Sequence, residues 1–469
     1  MKNLLLPLLL SLSLLLAACT PATQEPATDV LIGPDVLIGL LPTPSSSPKI
    51  FPTPAPSTPT SALSDITPTD TPLAPTDTPE PTPSPVPESV GTSGPLQIAF
   101  INNSTDIVLW KESDQSFTTL VGASGAIDVR LSDDGTILTY RTEITFGQQE
   151  LWAVNTDGTN PRMLLGVDNL RAFDPDALGV TIHQYEWIPG THTLAFNTIQ
   201  TIEGPGLFLY DDLHFLDVDT ADLTTILTPG SGGNFLFSPD GQQYALIQPE
   251  SISLLNTDGS NIRNDVLTYP YVLTYSEYEY YAKPVWSPDS TFLRVAIPPQ
   301  NSLDDLTAPT TLWHIPTDGS SAVQTGAVNA QPFFIDPVQF SPDLFRLAYT
   351  RLPNPDDFQT VELVITNPDS SNEVVYATGN LFFIGWAPDS QHFVFENTEL
   401  QETYLGTVGG NFSLLTDIPY ARDVTWIDEP RYLFSTQSAT GWQFRLSTLG
   451  AGSTVIIEQP GMSSYDFDN

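Results

Sequence analysis

From Leu96 onward the chain reads as short apolar runs rich in Val, Ile, Phe, Tyr and Trp, each closed by a polar turn. That texture predicts β-strands throughout, because no 3.6-residue apolar period is sustained. The stretch FLFSPDGQQYALI (235–247) shows the unit: an apolar strand, Ser-Pro-Asp-Gly, then a second strand. Aligning the chain on it gives seven first strands, at Val129, Tyr185, Phe235, Pro284, Val338, Ile384 and Val424. Each is followed by a second strand such as ILTYRT, TLAFNT or RLAYTR, then by a third such as ELWAVNTDG and a fourth such as PRMLLG. Ser at the first position, Pro with its fixed φ, Asp and then Gly suit a type I turn between strands one and two. The Asn-Thr-Asp-Gly runs at Asn155 and Asn256 do the same between strands three and four, with Gly left-handed. The bulky residue before each first turn (Leu131, Trp187, Phe237, Trp286, Phe340, Trp386, Trp426) is expected to pack between neighbouring sheets.

The repeats start 40 to 56 residues apart, the spacing of a four-stranded propeller blade with loop insertions. The ends complete the count. LQIAF, DIVLW and SFTTLV (96–121) look like strands two, three and four without a first, and MSSYDFDN (462–469) looks like a first strand with nothing after it. Joined, they make one composite blade and remove the exposed edges. The fold expected is therefore an all-β propeller of four-stranded blades, eight in number, with a seven-bladed ring as the alternative. The aromatic-Ser-Pro-Asp-Gly pattern followed by ALI or LAY and then LLNTDGSN resembles the TolB-like, WD40-like Pro-Asp repeat propellers. The resemblance runs over nearly all of Leu96 to Asn469 and implies fold more than function. The units at Val129, Tyr185 and Val424 depart from Ser-Pro-Asp and are placed by register.

The first 95 residues are of another kind. MKNLLLPLLLSLSLLLAAC has a positive start at Lys2, an apolar run from Leu4 to Leu16 and small residues before Cys19. The run is too short to span a bilayer and reads as an export signal. Leu16-Ala17-Ala18-Cys19 resembles the lipobox of bacterial lipoproteins, which implies cleavage before Cys19 and acylation of it. Several acyl chains anchor stably where one is marginal. Residues 20–95 are Pro/Thr/Ser-rich and carry no apolar period, so no packed core is expected. Fully extended, Pro42 to Pro87 reaches roughly 140 Å. The domains read as signal peptide 1–18, disordered stalk 19–95 and propeller 96–469. The location expected is the cell membrane or outer membrane, facing outside the cytoplasm.

Charge narrows the partners. There are 55 acidic against 15 basic residues, a net charge of −40, which repels nucleic acid and anionic lipid. The body is expected to touch the membrane only through its N-terminal lipid, and to be a monomer. Cys19 is the one cysteine, so no intrachain disulfide and no cysteine metal site can form. The five histidines are expected in different units without metal spacing, and the Asp-rich turns lack a calcium-loop pattern; no metal or cofactor is expected. No G-x-S-x-G elbow occurs.

Two surfaces are candidates for binding. LTYPYVLTYSEYEYYAKPVW (267–286) is longer than a blade connection needs, and its Tyr275, Tyr278, Tyr280 and Tyr281 offer wide, polar-tipped contact area. Arg130, Glu186, Lys283, Asp336, Arg422 and Asp423 precede or begin first strands and are expected around the channel mouth. The acidic pairs Asp211-Asp212, Asp304-Asp305 and Asp356-Asp357 are expected in loops between strands two and three. The function expected is a non-catalytic binding module for a protein, peptide or glycan. The alternatives are an envelope-assembly factor of TolB-like type, and a glycosidase or lyase with carboxylates at the channel mouth.

Overall fold

The Ser-Pro-Asp turns are held by their own side chains. Ser238 donates to Asp240 Oδ1 at 2.6 Å, the Gln243 N–H donates to Ser238 Oγ at 3.0 Å, and the Gly241 N–H closes the turn on the Ser238 carbonyl at 2.8 Å. The same set recurs at Ser132, Ser287 and Ser341. The fourth residue is left-handed each time, with φ of 63° at Gly135, 67° at Gly241, 60° at Ser290 and 61° at Leu344. Glycine takes this conformation without strain. Ser290 carries its strain with a return: its Oγ accepts the Asp240 N–H of the preceding unit at 3.2 Å, so one turn ties to the next.

The structure, a computed structural model, describes residues 95–103, 105–201, 210–274, 276, 278–302, 304–332, 337–415, 421–459 and 464–468. The chain divides into two units, Met1–Pro83 and Ser84–Asn469, and the described residues all belong to the second. The signal, Cys19, the stalk to residue 94, Tyr275, Glu277 and Asp336 lie outside the described residues.

Among the described residues the strands form eight four-stranded antiparallel modules, two of them fused into one eight-stranded sheet by a parallel bridge between Gln148 and Val180. Module I orders Ser116–Val121, Ile107–Lys111, Gln97–Ile101 and Tyr465–Asp468, the last pair in register from Gln97 opposite Asp468 to Phe100 opposite Tyr465. The remaining modules are sequential. Module II runs from Ala126–Leu131 to Arg162–Leu165, III from Gly179–Trp187 to Leu223–Leu227, and IV from Asn234–Phe237 to Arg263–Thr268. Module V runs from Val285–Trp286 to Val323–Val328, VI from Gln339–Phe340 to Val374–Gly379, VII from Leu381–Trp386 to Phe412–Leu414, and VIII from Arg422–Trp426 to Gly452–Gln459. Every first strand sits at the edge of its module, as the repeat alignment expects.

Each apolar cluster draws on two consecutive modules. Leu109 of I meets Val129 and Leu138 of II; Leu151 of II meets Tyr185 and Phe196 of III; Leu213 of III meets Phe235 and Tyr244 of IV. Ile252 of IV meets Leu293 of V, Leu312 of V meets Tyr349 of VI, and Leu363 of VI meets Phe393 of VII. Tyr432 and Phe434 of VIII take in Leu415 from the end of VII, and Leu433 and Leu446 of VIII return to Ile98 and Trp110 of I. Sheets packed face to face in chain order, each offering both faces, are propeller architecture. Six of the seven bulky residues before the turns are buried here and Trp426 is half-buried. Trp286 and Trp386 also donate their indole N–H to the Leu236 and Gln339 carbonyls of the preceding module, at 3.0 and 3.1 Å.

Polar links cross the same seams. Asp128 and Arg141 of II pair with each other, Arg141 Nη1 donates to the Ile182 carbonyl of III at 2.6 Å, and the Tyr185 hydroxyl donates to Asp128 Oδ1 at 2.9 Å. Arg431 of VIII bridges Asp428 and Glu112 beside module I. His192 of III lies 2.9 Å from Asp219 and 3.2 Å from Asp134 in the turn of II. These carboxylates, Asp219 foremost, raise its pKa above the usual imidazole value. A folded pKa above the unfolded value stabilises below about 6.5, and that stability is lost as pH rises through the folded value. The midpoint of thermal unfolding should therefore fall between about pH 6 and pH 8 by more in the native protein than in His192→Gln.

Two expectations fail. Asp212 is not in a loop: it lies inside the strand Tyr210–Asp217, fully buried, accepting from the Thr198 N–H and hydroxyl at 2.7 Å each and lying 2.9 Å from His214 Nε2. The histidines are not spread singly over the modules: His183, His192 and His214 all belong to module III. Asp304-Asp305 and Asp356-Asp357 do lie in loops between strands two and three.

Candidate functional site

The long connection after module IV is not one strand. It leaves Arg263–Thr268, and its described residues before Val285 carry no regular structure. Tyr269, Val272 and Tyr280 plug it onto the core shared by IV and V. Tyr280 packs in that core and also lines the adjoining cavity: its hydroxyl contacts the Ala296 carbonyl at 3.4 Å, and burial pushes its pKa far up. Tyr278 stays 56% exposed and Tyr281 half-buried.

Tyr278 and Tyr281 line a cavity of about 420 Å³ together with His183, Glu279, Lys283 and Gln331. Asn234 and Val338 close it, so it lies where the first strands of modules IV, V and VI begin. The volume is that of a small-ligand site. His183 is open to the cavity, yet burial and the charge of Arg141 hold its imidazole below the usual pKa, which favours the neutral form. Lys283 is exposed and lies in no ion pair among the described residues. The site thus offers aromatic faces, one ammonium, a neutral imidazole, a carboxylate and an amide.

A second cavity, of about 380 Å³, collects Arg130, Asp133, Glu186, Trp187 and Asp466. Arg130 and Glu186 do not begin their strands as expected. They are the last but one residues of Ala126–Leu131 and Gly179–Trp187, beside the turns. The charged mouth expected from sequence therefore splits: Lys283 belongs to the tyrosine cavity, and Arg130 and Glu186 belong to the other. Arg422 and Asp423 begin their strand as expected but line neither cavity. The Arg422 guanidinium lies 5.7 Å from the Trp442 ring, and Asp423 has φ of 54° with its carbonyl accepting from the Tyr465 hydroxyl at 3.4 Å.

In the second cavity burial raises the carboxyl pKa of both Glu186 and Asp466, against the opposing charge of Arg130. Glu186 also accepts from Gln184 Nε2 at 2.9 Å, and Asp466 from the Leu131 N–H at 2.8 Å. The Trp187 indole N–H is buried without an acceptor. Asp466 is not among the residues expected at the channel mouth. Its signal is the alternation in YDFD, where Tyr465 and Phe467 pack on the core and Asp466 and Asp468 point the other way. Among the described residues no group of three or more His, Cys, Asp or Glu is placed to hold a metal ion.

No protein-family model matches the chain, and no curated protein matches it. Solved structures resemble it at low identity. A eukaryotic initiation factor is 12% identical, covers 80% of this chain and 98% of its own, and gives a TM-score of 0.47. The β-propeller domain of the trilobed protease from Pyrococcus furiosus is 11% identical over 60% of this chain and 85% of its own, with a TM-score of 0.40. TolB from Acinetobacter baumannii is 10% identical over 62% of this chain and 66% of its own, with a TM-score of 0.31.

Proposed function

We propose that this chain is a lipid-anchored, extracytoplasmic β-propeller that binds a protein, peptide or glycan without transforming it, through the cavity of Tyr278, Tyr281 and Lys283. The reading has eight blades in a closed ring, with Cys19 as the acylated anchor and the Pro/Thr/Ser-rich segment as a spacer. Ring closure is supported by the pairing of Gln97–Ile101 with Tyr465–Asp468 and by a core cluster at every seam, including VIII to I. The anchor is supported by the signal-like run before the one cysteine.

The observation that carries the binding role is the cavity itself: about 420 Å³, at the start of three first strands, with two accessible tyrosines and, at its wall, a lysine that lies in no ion pair among the described residues. Tyrosine supplies contact area on two χ angles, and its hydroxyl bonds to peptide or sugar alike. The test is a peptide and glycan array probed with the full chain in detergent. A ligand found there should bind about 10 to 30 times more weakly to Tyr278→Ala and Tyr281→Ala. Equal binding by both variants excludes the cavity.

A second reading rests on the other cavity. Glu186 and Asp466 share it with Arg130, and both carboxyls are shifted toward the protonated form by burial. A buried, protonated carboxyl suits the general acid of a glycosidase, and two carboxyls facing one cavity are the number such an enzyme needs. Product formation from any arrayed glycan, lost in Glu186→Gln and in Asp466→Asn, favours this reading over the first.

A further inference from the structure

We propose that the seam between modules V and VI holds a second binding site, one for a small carboxylate ligand, in which the guanidinium groups of Arg294 and Arg346 grip the carboxylate and Phe345 covers its flat or apolar part. It is separate from both cavities described above.

The starting observation is a charge imbalance running against the whole molecule. This chain has 15 basic residues against 55 acidic ones, and among the described residues four of its eleven arginines sit in ion pairs. Arg141, Arg162, Arg351 and Arg431 each pair with a carboxylate. Arg294 and Arg346 lie in no ion pair among the described residues, yet both line one cavity of about 400 Å³. Arg294 sits in the second strand of module V, Phe292–Ile297. Its Nε is buried with no acceptor, and its Nη1 reaches only the Thr325 hydroxyl, at 3.4 Å. The guanidinium as a whole is part-buried and lies 5.7 Å from the Phe292 ring, so the cost of the empty site falls on the one unmet Nε donor.

The walls keep the cavity from collapsing onto these charges. The turn Asn367–Asp369 of module VI is stapled to module V: Thr325 Oγ1 donates to the Pro368 carbonyl at 2.7 Å, and Ser370 Oγ exchanges bonds with the Ala327 backbone, donating and accepting at 2.8 Å each. Asp369 is the one carboxylate at the wall; it accepts from the Ser371 N–H at 2.9 Å and the Ser371 hydroxyl at 2.5 Å, and its charge acts on Arg294 from beyond ion-pair distance, so it balances that guanidinium only in part. On the open side, Leu344 is left-handed at 61° and buried, which turns the next residue outward and leaves Phe345 68% exposed beside Arg346. Two guanidinium forks and one aromatic face fit a planar carboxylate better than a bare spherical anion.

Benzoate is the first probe, titrated into the full chain in detergent and followed by saturation-transfer NMR and calorimetry, with inorganic phosphate as the second. The expected result is saturable benzoate binding that weakens about 10- to 100-fold in Arg346→Ala and in Arg294→Gln, the loss of one charged hydrogen-bond donor. Phe345→Ala should weaken it about 2- to 10-fold. Arg346 is part-exposed, so its variant remains a valid test even where Arg294→Gln fails to fold. Absence of saturable binding, or affinity unchanged in Arg346→Ala, overturns the site. Phosphate binding more tightly than benzoate, with no loss in Phe345→Ala, overturns the assignment to carboxylates.

Discussion

Asp128→Ala should destabilise the protein by about 3 kcal/mol, because it strands a charge at the seam between modules II and III. Asp128 takes the Arg141 guanidinium on Oδ2 and the Tyr185 hydroxyl on Oδ1, and the two charged side chains are each only 16% exposed. Removing the carboxylate leaves Arg141 with the Ile182 carbonyl as its remaining acceptor and the face of Tyr185, 5.0 Å away, as its remaining neighbour. The penalty is that of an uncompensated cation, not of the pair itself. Replacing both partners by apolar residues, Asp128→Leu with Arg141→Met, should therefore recover most of the loss. Urea unfolding of the three proteins measures this. A double variant as unstable as Asp128→Ala contradicts the argument.

Phe393→Ala should cost about 3 to 5 kcal/mol, the range for deleting a large buried aromatic side chain. Phe393 is fully buried in the cluster joining modules VI and VII, with Tyr376 at 5.1 Å, Trp386 at 5.7 Å and Phe383 and Phe395 at 6.1 Å between ring centroids. Its seat exists because residue 406 has no side chain: a Cβ there would come within 2.2 Å of the ring. Gly406→Ala should accordingly destabilise the native protein but partly fill the space left in Phe393→Ala, giving a coupling in a double-mutant cycle. Phe412, 41% exposed at the rim of the same sheet, serves as the control, and its Ala variant should lose far less. Additive losses at 393 and 406 contradict the proposed seat.

These contrasts show which features were legible in the sequence. The repeats were, because their signal is local: Ser238, Asp240 and Gly241 satisfy one another within a few residues. The composite first module was legible for a different reason, since only unmatched strands remained at the two ends. Charge placement was not. Whether Arg130 and Glu186 open or close a strand depends on how far back the strands reach, to Ala126 and to Gly179, and polar residues there hide the start. That Tyr280 is buried while Tyr278 is exposed was not legible, because the period-two rule has no hold where the described residues form no strand. Asp212 was within reach of that rule: it shares a face with His214 and Leu216, both buried, and the acidic pair drew attention away from the alternation. The Arg294 and Arg346 cavity has no sequence signature, since modules V and VI meet there only in three dimensions.

The proposed closed ring requires its first and last strands to lie side by side. Gln97 pairs with Asp468, and cross-strand neighbours stand about 4.5 to 5.5 Å apart at Cα, within disulfide reach. The most direct measurement is oxidation of Gln97→Cys/Asp468→Cys followed by non-reducing electrophoresis and thiol titration. A closed ring gives a quantitative intramolecular disulfide in the folded protein, absent from either single variant and accompanied by a raised unfolding midpoint. Two thiols that stay free and reactive in the folded protein contradict it.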